Sequence, residues 1–201
     1  MNKIDTFNLL ENIEKDNKPN IMLHVCCAPC TSGVFDQLSP YFNITLIYAN
    51  DNIYPKDEFN KRFNEFNKLK QHYNFNIISL PYNHNDFLEK TKGYENYKEG
   101  DKRCEICFKD RLEKTVKVAK ELEFEFFTTT LSVSPYKNAE ILNSIGEELE
   151  KKYNIKYIYS DFKKKEGYKN SIKNSKEFGL YRQNYCGCEY SLRDMKYKQE
   201  N

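Results

Sequence analysis

Short apolar runs alternate with amphipathic stretches along most of this chain. Residues 5–17 place Phe7, Leu10 and Ile13 on one face among charges, the spacing of an amphipathic helix. Residues 21–25 form an apolar run that reads as a buried strand ending on a cysteine pair, Cys26-Cys27. Pro29 suits a first helical turn, and Val34, Phe35 and Leu38 recur at helical spacing, so a helix is predicted over 31–38. The order then repeats: strand 44–48, helix 56–73, strand 76–80 and a short helix 85–90. A Gly- and charge-rich connection over 93–102 leads into a long helix, about 104–122, with Leu112, Val116, Ala119 and Leu122 toward the core. Strand 124–130, helix 138–152 and strand 156–159 complete the pattern. Such alternation predicts an α/β fold, a mainly parallel sheet with helices on both faces.

Ligands bind such sheets outside the carboxyl ends of the strands. Cys26 and Cys27 after the first strand, residues 50–55 after the second and 128–137 after the fourth are therefore expected along one edge. Neither G-x-G-x-x-G nor G-x-x-x-x-G-K-[ST] occurs, which removes the usual dinucleotide and P-loop readings. With no repeat and no low-complexity linker, residues 1–201 are expected to form one domain. The beginning of the chain lacks the apolar run of a signal peptide, and no segment approaches the roughly 20 apolar residues of a membrane span. A cytosolic protein with no membrane partner is expected.

Charge adds little in bulk, since 32 basic and 30 acidic side chains leave +2. Locally it adds more. Lys163, Lys164, Lys165, Lys169, Lys173 and Lys176 face only Glu166, and Arg182 and Arg193 follow. This is either a basic surface seeking an anion or the ordinary solvated face of a lysine-rich chain. Tyr181-Arg182-Gln183-Asn184-Tyr185 mixes aromatic, cationic and amide groups, a set suited to stacking on an unpaired base, though also common on surfaces.

The seven cysteines carry the sharpest signal: Cys26, Cys27 and Cys30, then Cys104 and Cys107, then Cys186 and Cys188. An odd number argues against a disulfide framework and for thiolate ligands in a reducing compartment. Cys104 and Cys107 share one face at a helix start, where free amides favour thiolate. Vicinal cysteines can share a metal centre only at a turn, which Ala28-Pro29 supplies, and they suit an iron–sulfur cluster better than a structural zinc. Cys30 is then a spare thiol nearby. Cys186-Gly187-Cys188 can close a very small, strained and labile disulfide; metal ligation, or a Gly-centred turn with incidental cysteines, is the alternative. His24 shares the strand face of Cys26 and reads as a core histidine before a ligand or acid, and Thr128-Thr129-Thr130 as a β-branched strand end.

Together these motifs resemble the QueH-type epoxyqueuosine reductases, from about residue 21 to 191. The resemblance is carried by His24-Val25-Cys26-Cys27-Ala28-Pro29-Cys30, Glu58-Phe59 with Arg62, Gly100 with Arg103-Cys104 and Cys107, and Arg111-Leu112-Glu113-Lys114. Phe127 to Leu131, Ser134-Pro135-Tyr136-Lys137-Asn138, Asn143 with Ile145-Gly146-Glu147-Glu148, and Tyr181 to Cys188 continue it. Two positions depart from the family pattern: Asp51 stands where Pro is expected between asparagines, and Lys163 where Arg is expected. The resemblance implies a Rossmann-like fold of the HUP type. It implies cobalamin-independent reduction of the epoxide of epoxyqueuosine at the tRNA wobble position. It further implies a [4Fe-4S] cluster on Cys26, Cys27, Cys104 and Cys107, with Cys186 and Cys188 as a redox-active pair. An additional iron held by Cys30, or by Cys186 and Cys188 with Asp161, is a mechanistic possibility, and His24, Tyr136 and Asp161 are candidate proton donors. Tyr136, Lys137, Lys163, Lys164, Arg182 and Gln183 are candidate contacts to tRNA, and the electron donor is left unidentified. Two rival readings are a zinc-stabilised RNA-binding module and a thiol–disulfide oxidoreductase acting on protein disulfides.

Overall fold

The computed structural model describes residues 3–13 and 17–200. Its centre is a five-stranded, all-parallel sheet: β1 Asn20–His24, β2 Asn43–Tyr48, β3 Asn76–Ser79, β4 Phe126–Thr129 and β5 Lys156–Tyr157, in the order β3-β2-β1-β4-β5. β1 pairs Leu23 with Leu46 on one side and with Thr128 on the other. Successive side chains of a strand point to opposite faces, and both faces here are buried. Ile21, Leu23, Leu46, Tyr48 and Phe126 enter one core; Met22, Ile47 and Phe127 enter the other. The strands therefore read as continuous apolar runs rather than alternating ones.

Helices cover the two faces. On one side lie α2 Ala28–Ser32, α3 Phe35–Leu38, α4 Lys56–Asn64 and α5 Phe66–Leu69, bringing Phe35, Leu38, Phe59, Phe66 and Leu69 to the core. On the other, after α6 His84–Thr91, lie α7 Lys102–Glu121 and α8 Ala139–Tyr153, bringing Leu112, Val116, Ala119, Leu142 and Leu149. Two further helices close the chain, α9 Gly167–Glu177 and α10 Glu189–Glu200. Among the described residues no helix is long and apolar enough to cross a membrane.

The differences from the sequence reading have local causes. The first helix, α1, spans Lys3–Asn12 and packs Leu9 and Leu10 on the core, while residues 14–16 and the Phe7 side chain lie outside the described residues. The helix expected over 31–38 is two short ones parted at Gly33, where the backbone of α9 comes so close that an added Cβ would lie 2.2 Å from the Gly167 carbonyl oxygen. Leu122 is 52% exposed, because α7 ends at Glu121 and the chain turns away through Glu123 at φ 57°. β4 stops at Thr129, and Thr130–Val133 form a 3-10 turn. α9 and α10 were absent from the sequence reading. The buried positions of α9 are Gly167, Ser171 and Ser175, small residues four apart that carry no hydrophobic periodicity.

Candidate active site

The strand order reverses beside β1, which lies between β2 and β4, and the chain leaves the carboxyl end of β1 directly into Cys26. A turn follows at once, with Cys27 capping α2 and Cys30 inside it. The three sulfurs lie within 4.8 Å of one another, with Cys26 Sγ 3.7 Å from Cys27 Sγ. Thiols this close titrate as a group. Hydrogen bonds from Cys27 and Cys30 hold Cys26 well below the usual thiol range, assisted by Arg111 and Lys137, while Cys27 is pushed up to about 11 and Cys30 is raised. Cys26 is thus the most acidic thiol of the group. Gln183 donates from Nε2 to Cys27 Sγ at 3.2 Å.

α7 contributes the next two thiols. Cys104 Sγ accepts from the Gly100 amide at 3.2 Å. Burial nevertheless raises the Cys104 thiol, outweighing the Gly100 amide, and pushes Cys107 up to about 12, outweighing the nearby Arg111. One turn on, Arg111 is almost fully buried and faces the sulfurs of Cys107, Cys26 and Cys186, linking all three cysteine groups. It donates to Asn50 Oδ1, and Asn50 Nδ2 donates to the Val25 carbonyl at 2.9 Å, which ties Arg111 to the residue before Cys26.

The third group lies in the segment between α9 and α10. Cys186 lines a cavity of about 660 Å³ together with Cys26, Cys30, Arg111 and Lys137. Cys188 is buried beside Cys107, Phe87 and Tyr190, and burial raises its thiol. All seven cysteines are free. Ser191 braces the loop: its Oγ accepts from the Cys186 amide and donates to Glu99, both at 3.1 Å. Lys137 is half-buried; burial opposes its charge, but the sulfurs of Cys186, Cys26 and Cys30 outweigh it and raise its pKa.

Of the other sequence candidates, Tyr136 stands 78% exposed on the cavity wall, and Arg182 lines it while donating to the Ser171 carbonyl at 3.0 Å. Asp161 does not line the cavity; its carboxylate pairs with Lys163 and Lys164, each at 2.9 Å. His24 is fully buried, bonded through Nδ1 to Thr129 Oγ1 at 2.9 Å, and burial with Arg111 pushes its pKa down to about 3, so it is a neutral core histidine. The hydroxyls of Thr128 and Thr129 are spent on the Ile158 carbonyl and the Leu131 amide rather than on the cavity. The departure at Asp51 also has a use. Its carboxylate accepts from the Asn83 amide at 2.8 Å and from Lys114 at 2.6 Å. Asp51, Asp86 and Asp110 bring three carboxylates together, and Lys114 with Lys90 fills the centre.

The model of the family described as epoxyqueuosine reductase QueH matches residues 21–194, which contain every one of these groups. The chain belongs to the QueH family. The epoxyqueuosine reductase QueH of Streptococcus pyogenes serotype M1 is 39% identical over 188 residues, covering 90% of this chain and 73% of that protein. The enzyme of the same name from Thermotoga maritima is 36% identical, covering 89% and 93%, and that from Staphylococcus aureus 37%, covering 87% and 76%. Membership makes the protein an oxidoreductase. Its thiol cluster suits a soft metal, for which thiolate is the matching ligand, and the cationic wall of Arg111 and Lys137 suits the negative charge of a thiolate-ligated centre. Sequence reasoning missed Arg111, Glu99 and Ser191 as site residues and placed Asn50 only within the segment expected along the ligand-binding edge. Arg111 was within reach, because it lies four residues after Cys107 and so shares its helical face.

Proposed function

We propose that this QueH protein reduces the epoxide of epoxyqueuosine in a tRNA anticodon to the alkene of queuosine, using a [4Fe-4S] cluster on Cys26, Cys27, Cys104 and Cys107 and the redox pair Cys186 and Cys188. The observation that carries the reading is the convergence of three cysteine groups, remote in sequence, near one guanidinium at the strand-order switch, two of them lining one cavity. The net reaction breaks two C–O bonds, forms a C=C bond and releases the oxygen as water, consuming two electrons and two protons. The Cys186/Cys188 dithiol supplies both on closing to a disulfide. When bound, the cluster would relay those two electrons one at a time, and a further iron on Cys30 would supply a Lewis acid for the C–O bond.

The remaining work falls to side chains of this chain. Lys137 and Arg111 present fixed positive charge to the oxygen as it takes up negative charge, in a partly enclosed cavity. His24 is neutral and enclosed, and Asp161 is held as a carboxylate by two lysines, which leaves Tyr136, among the three sequence candidates, to relay a dithiol proton to the oxygen. Tyr136 and Gln183 also suit stacking on the target base and bonding its edge. Lys163, Lys164 and Arg182, with the exposed Lys169, Lys173 and Lys176 of α9, provide phosphate contacts, so tRNA affinity falls steeply with salt. The thiol chemistry fits a reducing, cytosolic compartment.

The test is anaerobic purification with iron and sulfide analysis, then assay of epoxyqueuosine tRNA with wild type, Cys104→Ser and Cys186→Ser. Four cluster irons in the wild type, with a fifth where Cys30 holds the further iron, loss of the cluster irons in Cys104→Ser, and an inactive but iron-bearing Cys186→Ser are expected. A colourless protein with one tightly held zinc that binds tRNA but turns nothing over would establish the zinc module instead. Reduction of protein disulfides that survives Cys26→Ser would establish the general oxidoreductase.

A further inference from the structure

Among the described residues Arg62 is one of the two largest fully buried side chains, 1% exposed, and lies on α4, outside every cysteine motif. A buried guanidinium must spend its donors on fixed partners. Its Nε pairs with Glu58 Oε1 at 2.7 Å, one turn back on the same helix. The other nitrogens leave the helix altogether: Nη1 donates to the Cys186 carbonyl at 3.0 Å and Nη2 to the Tyr185 carbonyl at 3.4 Å. The Tyr185 ring lies 5.2 Å from the guanidinium carbon, and the Tyr185 hydroxyl donates to the Tyr54 carbonyl at 2.6 Å. The Tyr54 amide in turn donates to the Gly187 carbonyl at 2.8 Å. Gly187, at φ 131°, passes so near that an added Cβ would lie 2.9 Å from Arg62 Nη1 and 3.2 Å from Ile53 Cγ1. The carbonyls of three successive residues, 185 to 187, are thus all taken by α4 and the loop before it.

We infer that Arg62 is a positioning residue that holds the Cys186-Gly187-Cys188 loop in its dithiol shape and so sets the redox poise of the pair. The inference rests on the reading of Cys186 and Cys188 as the redox pair. In the step concerned, two S–H bonds break and one S–S bond forms; the two electrons and two protons released pass to the epoxide, whose oxygen leaves as water. A disulfide between these residues requires both sulfurs at bonding distance, about 2.05 Å, whereas here both thiols are free. The bonds from Arg62 and Tyr54 are therefore made with the dithiol shape, and whatever the loop loses of them on closing opposes the disulfide. Lysine at position 62 keeps the charge, but its donors sit on one nitrogen and do not reproduce the three separate nitrogens that Arg62 spreads between Glu58 and two carbonyls.

The experiment compares wild type with Arg62→Lys. Both are equilibrated in glutathione buffers of graded poise, acid-quenched, alkylated and read by peptide mass spectrometry, with turnover of epoxyqueuosine tRNA followed in parallel. Loss of one charge-assisted hydrogen bond from the dithiol shape corresponds to a disulfide-to-dithiol ratio about tenfold higher, or ~30 mV for two electrons. With it, kcat falls about tenfold to a hundredfold, while KM for tRNA, iron content and circular dichroism stay at wild-type values. An unchanged ratio and kcat in Arg62→Lys would overturn the positioning role alone. A wild type that forms no Cys186–Cys188 disulfide at any poise, and whose activity survives Cys186→Ser, would overturn the redox-pair reading whatever Arg62 does. Should Arg62→Lys fail to fold, Gly187→Ala displaces the same bonds from the loop side. It is expected to shift the ratio in the same direction, and a wild-type ratio there would overturn the inference.

Discussion

Replacing Lys114 with methionine tests how the site is held from behind. The Lys114 ammonium lies 2.6 Å from Asp51, 2.7 Å from Asp86 and 3.0 Å from Asp110, at 22% side-chain exposure against 9%, 30% and 12% for its partners. Exposed ion pairs contribute about 0–1 kcal/mol, whereas removing one partner of a buried pair costs about 3–5 kcal/mol. Lys114 lies between these limits and leaves three carboxylates facing one another with only Lys90 to compensate. The expected cost of Lys114→Met is thus about 2–3 kcal/mol at pH 7, or ~4–12 °C in Tm for a chain of this size.

The sign with pH follows from the two partners. Burial works against the Asp86 carboxylate, but hydrogen bonds from Lys114 and Lys90 outweigh it and hold its pKa below the normal value. Its contribution is therefore present above the unfolded value of about 4 and is lost as pH falls through the lower, folded value. Burial likewise opposes the Lys114 charge, but the three aspartates outweigh it and raise its pKa. That contribution is complete below about pH 10.4 and is lost as pH rises through the raised value. Urea unfolding of wild type and Lys114→Met, followed by circular dichroism from pH 3 to 8, should show a constant difference above about pH 5 that shrinks below pH 4. A cost under ~0.5 kcal/mol at pH 7, or one undiminished at pH 3, would refute the reasoning. Because Asp51 adjoins Asn50, which holds Arg111, turnover should fall in the same variant.

Gly146→Ala places a Cβ 2.4 Å from the fully buried Tyr157 ring and should destabilise by about 1–3 kcal/mol as that ring is forced aside, read as a lowered unfolding midpoint. Asn143 is buried and exchanges two 2.9 Å hydrogen bonds with the Ser160 backbone; Asn143→Leu leaves that amide and carbonyl unpaired and should cost about 2–4 kcal/mol in the same assay. Tyr136→Ala should leave Tm within about 1 °C, as expected for an exposed side chain. It should weaken tRNA binding by about 1–3 kcal/mol if the ring stacks on a base, measured by filter binding at fixed salt.

Local chemistry made much of this protein legible along the chain. The apolar runs of β1, β2 and β4 and the helical spacing of α7 and α8 appear within one or two residues of where they fold, because a parallel sheet buried on both faces demands continuous hydrophobic runs, whereas the helix read over 56–73 breaks into α4 and α5 and ends at Leu69. The cysteine spacings announced a thiol site on the same grounds, since turns and helix faces within a few residues are set locally. The packing of α9 was not legible: a helix that docks through Gly167, Ser171 and Ser175 against the backbone at Gly33 has close approach rather than apolar area as its signal.

What the sequence determined by itself was the list of elements and of reactive groups. Which groups meet was decided only by the tertiary structure. The order β3-β2-β1-β4-β5 sets the end of β1 beside the end of β4, so that Cys26 and Lys137 share a cavity. α7 then brings Arg111 to the cavity that Cys26 lines, and α4 reaches across with Arg62 to a loop more than 120 residues later in the chain. Proximity of this kind arises from burying both faces of one sheet and pairing the buried donors and acceptors that result, a condition on the whole chain that no local spacing records.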